Sequence, residues 1–192
     1  MFEKFAVVIE PNKEIDGDLV MLKNVFKKYS VNDYINHPNH LTLLHGFFQE
    51  DQLIKALENI FFESFTIETE KIKCFSQDLL TQSKTLFLSI KHEKKLLELQ
   101  MDFLQKLKNI IDNRELGNFF SNNPMYKKNI EIYNYPYVGK DWVPHFTVCS
   151  LNDIKNNEYN NFINKSISKK MTVRKVSIFK VINSDHIKIL EI

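Results

Sequence analysis

Apolar and polar positions along this chain follow two periods, and their order predicts a mixture of strands and helices. Phe5 to Glu10 is a β-rich run stopped by Pro11, which reads as a first strand. From Asp16 to Tyr29, Leu19, Leu22, Val25, Phe26 and Tyr29 recur at helical spacing behind an acidic start. The Asn36-His37-Pro38-Asn39 cluster is turn chemistry, because a residue before proline is pushed out of the helical region. His40 to Leu44 then reads as a strand, and Leu53, Leu57, Ile60 and Phe61 mark a helix over Asp51 to Phe62.

Phe65 to Cys74 and Thr85 to Lys91 alternate apolar and polar residues, the mark of paired strands. The clearest helix runs from Glu93 to Ile111, with Leu96, Gln100, Phe103, Leu107, Ile110 and Ile111 on one stripe. Asp112 to Tyr135, with Gly117, Pro124 and many asparagines, is expected to be irregular around a short helix. Val143 to Ser150 reads as a strand, and Asn152 is placed to cap a modest helix ending near Asn164. Met171 to Ile182 and His186 to Ile192 flank Asn183-Ser184-Asp185 as a closing hairpin. Strands interspersed with helices predict an α+β or mixed-sheet domain, and no 20–50-residue repeat points to a solenoid.

Composition narrows the class. At 192 residues and 43% hydrophobic the chain can bury a full core, which excludes a disordered protein. With 26 Lys+Arg against 24 Asp+Glu, the net charge of +2 excludes binding to duplex nucleic acid by bulk charge. A local basic patch for a phosphate-bearing ligand stays compatible with that balance. Two cysteines, Cys74 and Cys149, fit a reducing compartment, and the first apolar run is too short for a signal peptide or a membrane span. The expectation is a cytoplasmic, monomeric single domain spanning residues 1–192, with no membrane contact and no stable protein partner.

One short pattern occurs twice. His40-Leu41-Thr42-Leu43 and His145-Phe146-Thr147-Val148 share the form His-apolar-Thr-apolar. In a strand, successive side chains alternate faces, so each copy buries two apolar residues and presents an imidazole and a hydroxyl on the opposite side. Phosphodiester cleavage needs one group to deprotonate the nucleophile and another to protonate the leaving oxygen. Histidine, with an ordinary pKa of about 6.5, performs either step near neutrality. Threonine hydroxyls donate to the non-bridging phosphoryl oxygens. Two competing readings exist: strand histidines satisfied by backbone carbonyls, and a zinc site, which lacks a clear third ligand.

The doubled motif, its separation, the short first strand and the closing hairpin resemble the two-histidine (2H) phosphoesterase superfamily, which includes 2′-5′ RNA ligase-like proteins and cyclic nucleotide phosphodiesterases. The resemblance implies a bilobal α+β fold with pseudo-twofold symmetry, two antiparallel or mixed sheets around a central groove and helices outside. It further implies cofactor-free, metal-independent cleavage of a 2′,3′-cyclic phosphate or of a 2′-5′ or 3′-5′ linkage in a nucleotide or short RNA. By motif position, His40 and His145 become the acid–base pair and Thr42 and Thr147 the phosphate-holding hydroxyls. Which histidine is base and which is acid stays open here. A non-catalytic nucleotide- or RNA-binding module keeping the same groove is the alternative.

Further candidates flank the motifs. Tyr137, Lys140 and Trp142, just before the second copy, offer base stacking and a phosphate contact, or else they pack the strand's entrance. Arg114 and the Lys127-Lys128 pair are candidates for a basic rim, or for a solvated face. Strict alternation places His45 on the face opposite His40, and Cys149 on the face of His145. His37 is expected to be solvated in its turn.

Overall fold

In the computed structural model, the described residues are all except 32, 79, 113–119, 121–122, 152–160 and 184. They form β1 (Glu3–Ile9), α1 (Lys13–Phe26), β2 (Leu41–Phe48), α2 (Glu50–Leu57), β3 (Phe65–Asp78) and β4 (Ser83–Ile90). The chain continues through α3 (Lys94–Leu107), α4 (Pro124–Tyr133), β5 (His145–Leu151), β6 (Lys170–Val173), β7 (Ser177–Ile182) and β8 (Asp185–Glu191). The helix expected after Asn152 and the position of Arg114 lie outside the described residues.

Local chemistry accounts for the helix boundaries. The Asn12 side chain accepts from the Ile15 backbone N–H at 3.0 Å, and Glu14 and Asp16 occupy the positive end of α1. Asn123 caps α4 in the same way, Pro124 fills its first turn, and Asn134 closes it in the left-handed conformation at φ 57°. Ile15, Leu19, Leu22 and Phe26 bury one stripe of α1, and Leu96, Leu99, Phe103 and Leu107 one stripe of α3. Each such side chain contributes about 1.5–3 kcal/mol by leaving water.

The strands pair in the order β6-β3-β4-β5-β2-β1-β7-β8. Each of these pairings is antiparallel. Two sheets were expected; the strands instead form one eight-stranded order. Its middle is narrow: β2 and β5 share a single registered pair, Leu41 with Phe146. Between β1 and β2, α1 packs against β5, and between β4 and β5, α3 packs against β2. Each half therefore covers the other's central strand.

The run from Met171 to Ile182, expected as one strand, is two. β6 pairs with β3 at one edge of the sheet, while β7 pairs with β1 in the other half. Arg174 and Lys175 break the run at solvent-exposed positions, so the chain crosses between halves there. β7 and β8 then pair as the expected hairpin, from Ile182–Asp185 out to Ser177–Glu191.

Candidate functional site

The site is built around the seam. Leu41 and Phe146 are both fully buried, and directly opposed residues in an antiparallel pair point to the same face. Alternation therefore sends His40, Thr42, His145 and Thr147 to the other face. The same register sets Thr42 opposite His145 and His40 opposite Thr147. Two imidazole–hydroxyl pairs thus flank one buried rung. All four are half-buried, so they reach solvent from a recessed position.

Both motif strands carry a β-bulge at the same place. In β2, Val8 pairs with Thr42 and Val7 with Leu44, which leaves Leu43 as the extra residue. In β5, Phe87 pairs with Thr147 and Leu86 with Cys149, which leaves Val148 extra. A bulge re-aims the side chains beyond it. Cys149 accordingly joins the core beside Leu86 rather than sharing the face of His145. His45, registered with Ala6, returns to the face of Thr42, where its ring lies 5.7 Å from Tyr135. The bulged Leu43 carbonyl accepts from the buried Gln100 amide of α3 at 3.2 Å, and the same amide donates to the Tyr137 carbonyl at 2.9 Å.

The two histidines are oriented by one device. His40 Nδ1 lies 2.7 Å from the Pro38 carbonyl, and His145 Nδ1 lies 2.7 Å from the Val143 carbonyl. A carbonyl only accepts, so each Nδ1 carries the proton and each neutral ring keeps Nε2 as a base. Pro38 and Pro144 stiffen the two approaches.

Their surroundings differ. His145 sits against Phe75 at 5.3 Å and Phe87 at 5.0 Å, and those two phenyl rings stack at 4.2 Å. Burial lowers the pKa of His145, while its hydrogen bond to Val143 and the charge of Asp78 pull it back up. Asp78 is held in place by the Thr85 hydroxyl at 2.7 Å and the Leu80 N–H at 2.9 Å. His40 instead has His186 at 5.4 Å, and His186 lies 4.6 Å from His37. Burial pushes His40 down to about 3; its Pro38 hydrogen bond opposes this, and the charges of His186, His37 and Lys23 add to it.

A family model described as the 2′-5′ RNA ligase superfamily matches residues 21–182. The chain belongs to this superfamily. The matched span runs from within α1 to the end of β7 and contains both motifs. The superfamily fold recurs in solved structures. E. coli LigT complexed with 3′-AMP has a TM-score of 0.63 at 13% identity, covering 100% of this chain and 97% of that chain. TT0787 of Thermus thermophilus has a TM-score of 0.64 at 13% identity, covering 98% of this chain and 96% of that chain. No curated protein matches the chain.

Within this superfamily fold the flanking candidates separate. Trp142 is 8% exposed and belongs to the core, leaving its ring little surface for a base. Tyr137 packs among Phe120, Tyr126 and Tyr135 with ring centroids 5.5–5.9 Å apart. Lys140 is exposed in a short 3₁₀ turn at Gly139–Asp141. His37, expected to be solvated, is half-buried against Tyr34 and His186.

Sequence reasoning missed Phe75, Phe87, Asp78 and His186, which reach the site from β3, β4 and β8. No local pattern marks them. It also missed Lys23, which donates to the His37 carbonyl at 2.7 Å and whose amine burial lowers to about 8. A pocket of about 510 Å³, lined by Glu10, Asp16, Lys23, His37 and Asn39 among others, adjoins this turn, and none of the four motif side chains lines it.

Proposed function

We propose that the chain is a metal-independent phosphoesterase that cleaves a 2′,3′-cyclic phosphate or a 2′-5′ or 3′-5′ phosphodiester of a nucleotide or short RNA. The observation that carries this reading is the Leu41–Phe146 register, which groups two imidazoles and two hydroxyls on one face. Superfamily membership supports phosphoester chemistry. Solved structures of E. coli LigT with 3′-AMP, NADP+ and ATP support a nucleotide as ligand.

In this mechanism the phosphoryl group lies between the two strands. Thr42 and Thr147 donate hydrogen bonds to its non-bridging oxygens, whose charge grows as the nucleophile adds. One imidazole takes the proton from the attacking hydroxyl through Nε2, while the other, protonated, gives its Nε2 proton to the leaving oxygen. The environments divide these roles in the resting protein. Burial lowers the pKa of both imidazoles, but the Asp78 charge raises that of His145 while the charges of His186, His37 and Lys23 lower that of His40 further. His145 is therefore the one of the pair better placed to take up the acid's proton, and His40 is the base. Reversing the reaction exchanges the roles.

The test is turnover of 2′,3′-cyclic nucleotides and 2′-5′-linked dinucleotides in the presence of a chelator. His40→Ala and His145→Ala are each expected to lower kcat by about 10²–10⁴-fold. Full activity in either variant, or loss of wild-type activity to the chelator, overturns the reading.

A further inference from the structure

We propose that His37 and His186 form a second anion subsite beside His40, which takes a phosphate one sugar away from the ester being cleaved. The proposal deepens the phosphoesterase reading and rests on it only for the identity of the first phosphate.

The β7–β8 register pairs Val181 with His186 and Phe179 with Lys188, which puts His186 and Lys188 on the face of Phe179. Phe179 packs with Ala6 and Val8 on that face, and Val8 is the registered partner of Thr42. The β8 histidine therefore stands on the motif face. Three rings from three places in the chain then run in sequence: His40 to His186 at 5.4 Å and His186 to His37 at 4.6 Å. All three are half-buried, so an anion approaching from solvent meets them together.

Hydrogen bonding explains why such a row favours an anion. Every imidazole carries at least one ring N–H whether neutral or protonated, and a phosphate beside the row accepts such bonds. Lys188 is engaged by Glu10 at 2.5 Å and Glu191 at 3.4 Å, so its charge is already paired. The surroundings of His145 are of the opposite kind, with Phe75 and Phe87 around the ring and the carboxylate of Asp78 nearby. A substrate with one apolar end and one doubly phosphorylated end matches that asymmetry. Among the described residues, no three His, Cys, Asp or Glu side chains are grouped so that they could hold a metal ion. His186 lies beyond residues 21–182 matched by the family model, whereas His37 and His40 lie within them.

The experiment compares the affinities of adenosine 3′-monophosphate and adenosine 3′,5′-bisphosphate by calorimetry near pH 6. The second phosphate is expected to tighten binding about ten- to a hundredfold, as hydrogen bonds to charged groups do. His186→Gln and His37→Gln are each expected to reduce that ratio to within about threefold, while His186→Lys, which restores the charge, keeps it. A ratio near one in the wild-type protein, or a ratio unmoved by His186→Gln, overturns the subsite. Binding does not depend on turnover. If the ratio behaves as expected while His40→Ala stays fully active, the phosphoesterase reading fails and the subsite stands.

Discussion

Leu41 and Phe146 face each other across the centre of the sheet, both fully buried, and their pairing aligns the four polar side chains on the reverse face. The apolar rung and the polar site are two sides of the same backbone register. Leu41→Ala leaves a cavity at that rung and is expected to cost about 2–5 kcal/mol. Chemical denaturation reads the loss. Turnover measured well below the new midpoint is expected to fall as well, because Thr42 and His145 lose their fixed spacing. A variant with unchanged stability would separate the rung from the site.

Asp78 is the charged neighbour that favours the protonated form of His145. Asp78→Asn keeps an oxygen for the Leu80 N–H but removes the charge. With His145 as the acid, kcat/KM falls as pH rises through the His145 pKa. Removing a negative charge lowers that pKa, so the alkaline limb of the profile is expected to move to lower pH. A limb that stays in place or moves upward excludes His145 as the acid.

His45 gives a stability prediction with a definite sign. Burial, helped by the charge of Lys4, lowers its pKa to about 4 in the folded protein. The unfolded value is about 6.5, so between those values the unfolded chain binds the extra proton. Stability is therefore complete above about pH 6.5 and declines as pH falls toward about 4. His45→Gln is expected to flatten this acid limb in a series of Tm measurements. An unchanged slope would show that other groups dominate the window.

Gln100 holds the bulge next to Thr42. Its amide donates to the Leu43 and Tyr137 carbonyls, and the residue is fully buried. Gln100→Met retains volume but deprives both carbonyls of a donor, an expected cost of about 2–4 kcal/mol from two lost buried bonds. Hydrogen exchange of the β2 amides is the sensitive check, since loosening of the bulge is expected to raise their exchange beyond that of β7.

Most elements could be read directly along the chain, because helical and strand periods are local properties of neighbouring residues. The doubled His-apolar-Thr-apolar pattern was legible for the same reason: within a strand, His40 and Thr42 share a face whatever lies beside them. Alternation failed where the sheet broke it. The bulges at Leu43 and Val148 reversed the faces expected for His45 and Cys149, and a bulge arises from pairing with another strand. The break in the Met171–Ile182 run likewise comes from β6 and β7 finding partners in different halves.

Residue order alone therefore established the elements, the repeated motif and the chemistry that two imidazoles and two hydroxyls can perform. Long-range pairing established that Phe75, Phe87 and Asp78 surround one imidazole while His37 and His186 surround the other. Side-chain period is a neighbour-to-neighbour property. Which strands lie side by side, and in what register, depends on how the whole apolar surface packs, and that makes two similar motifs chemically unequal.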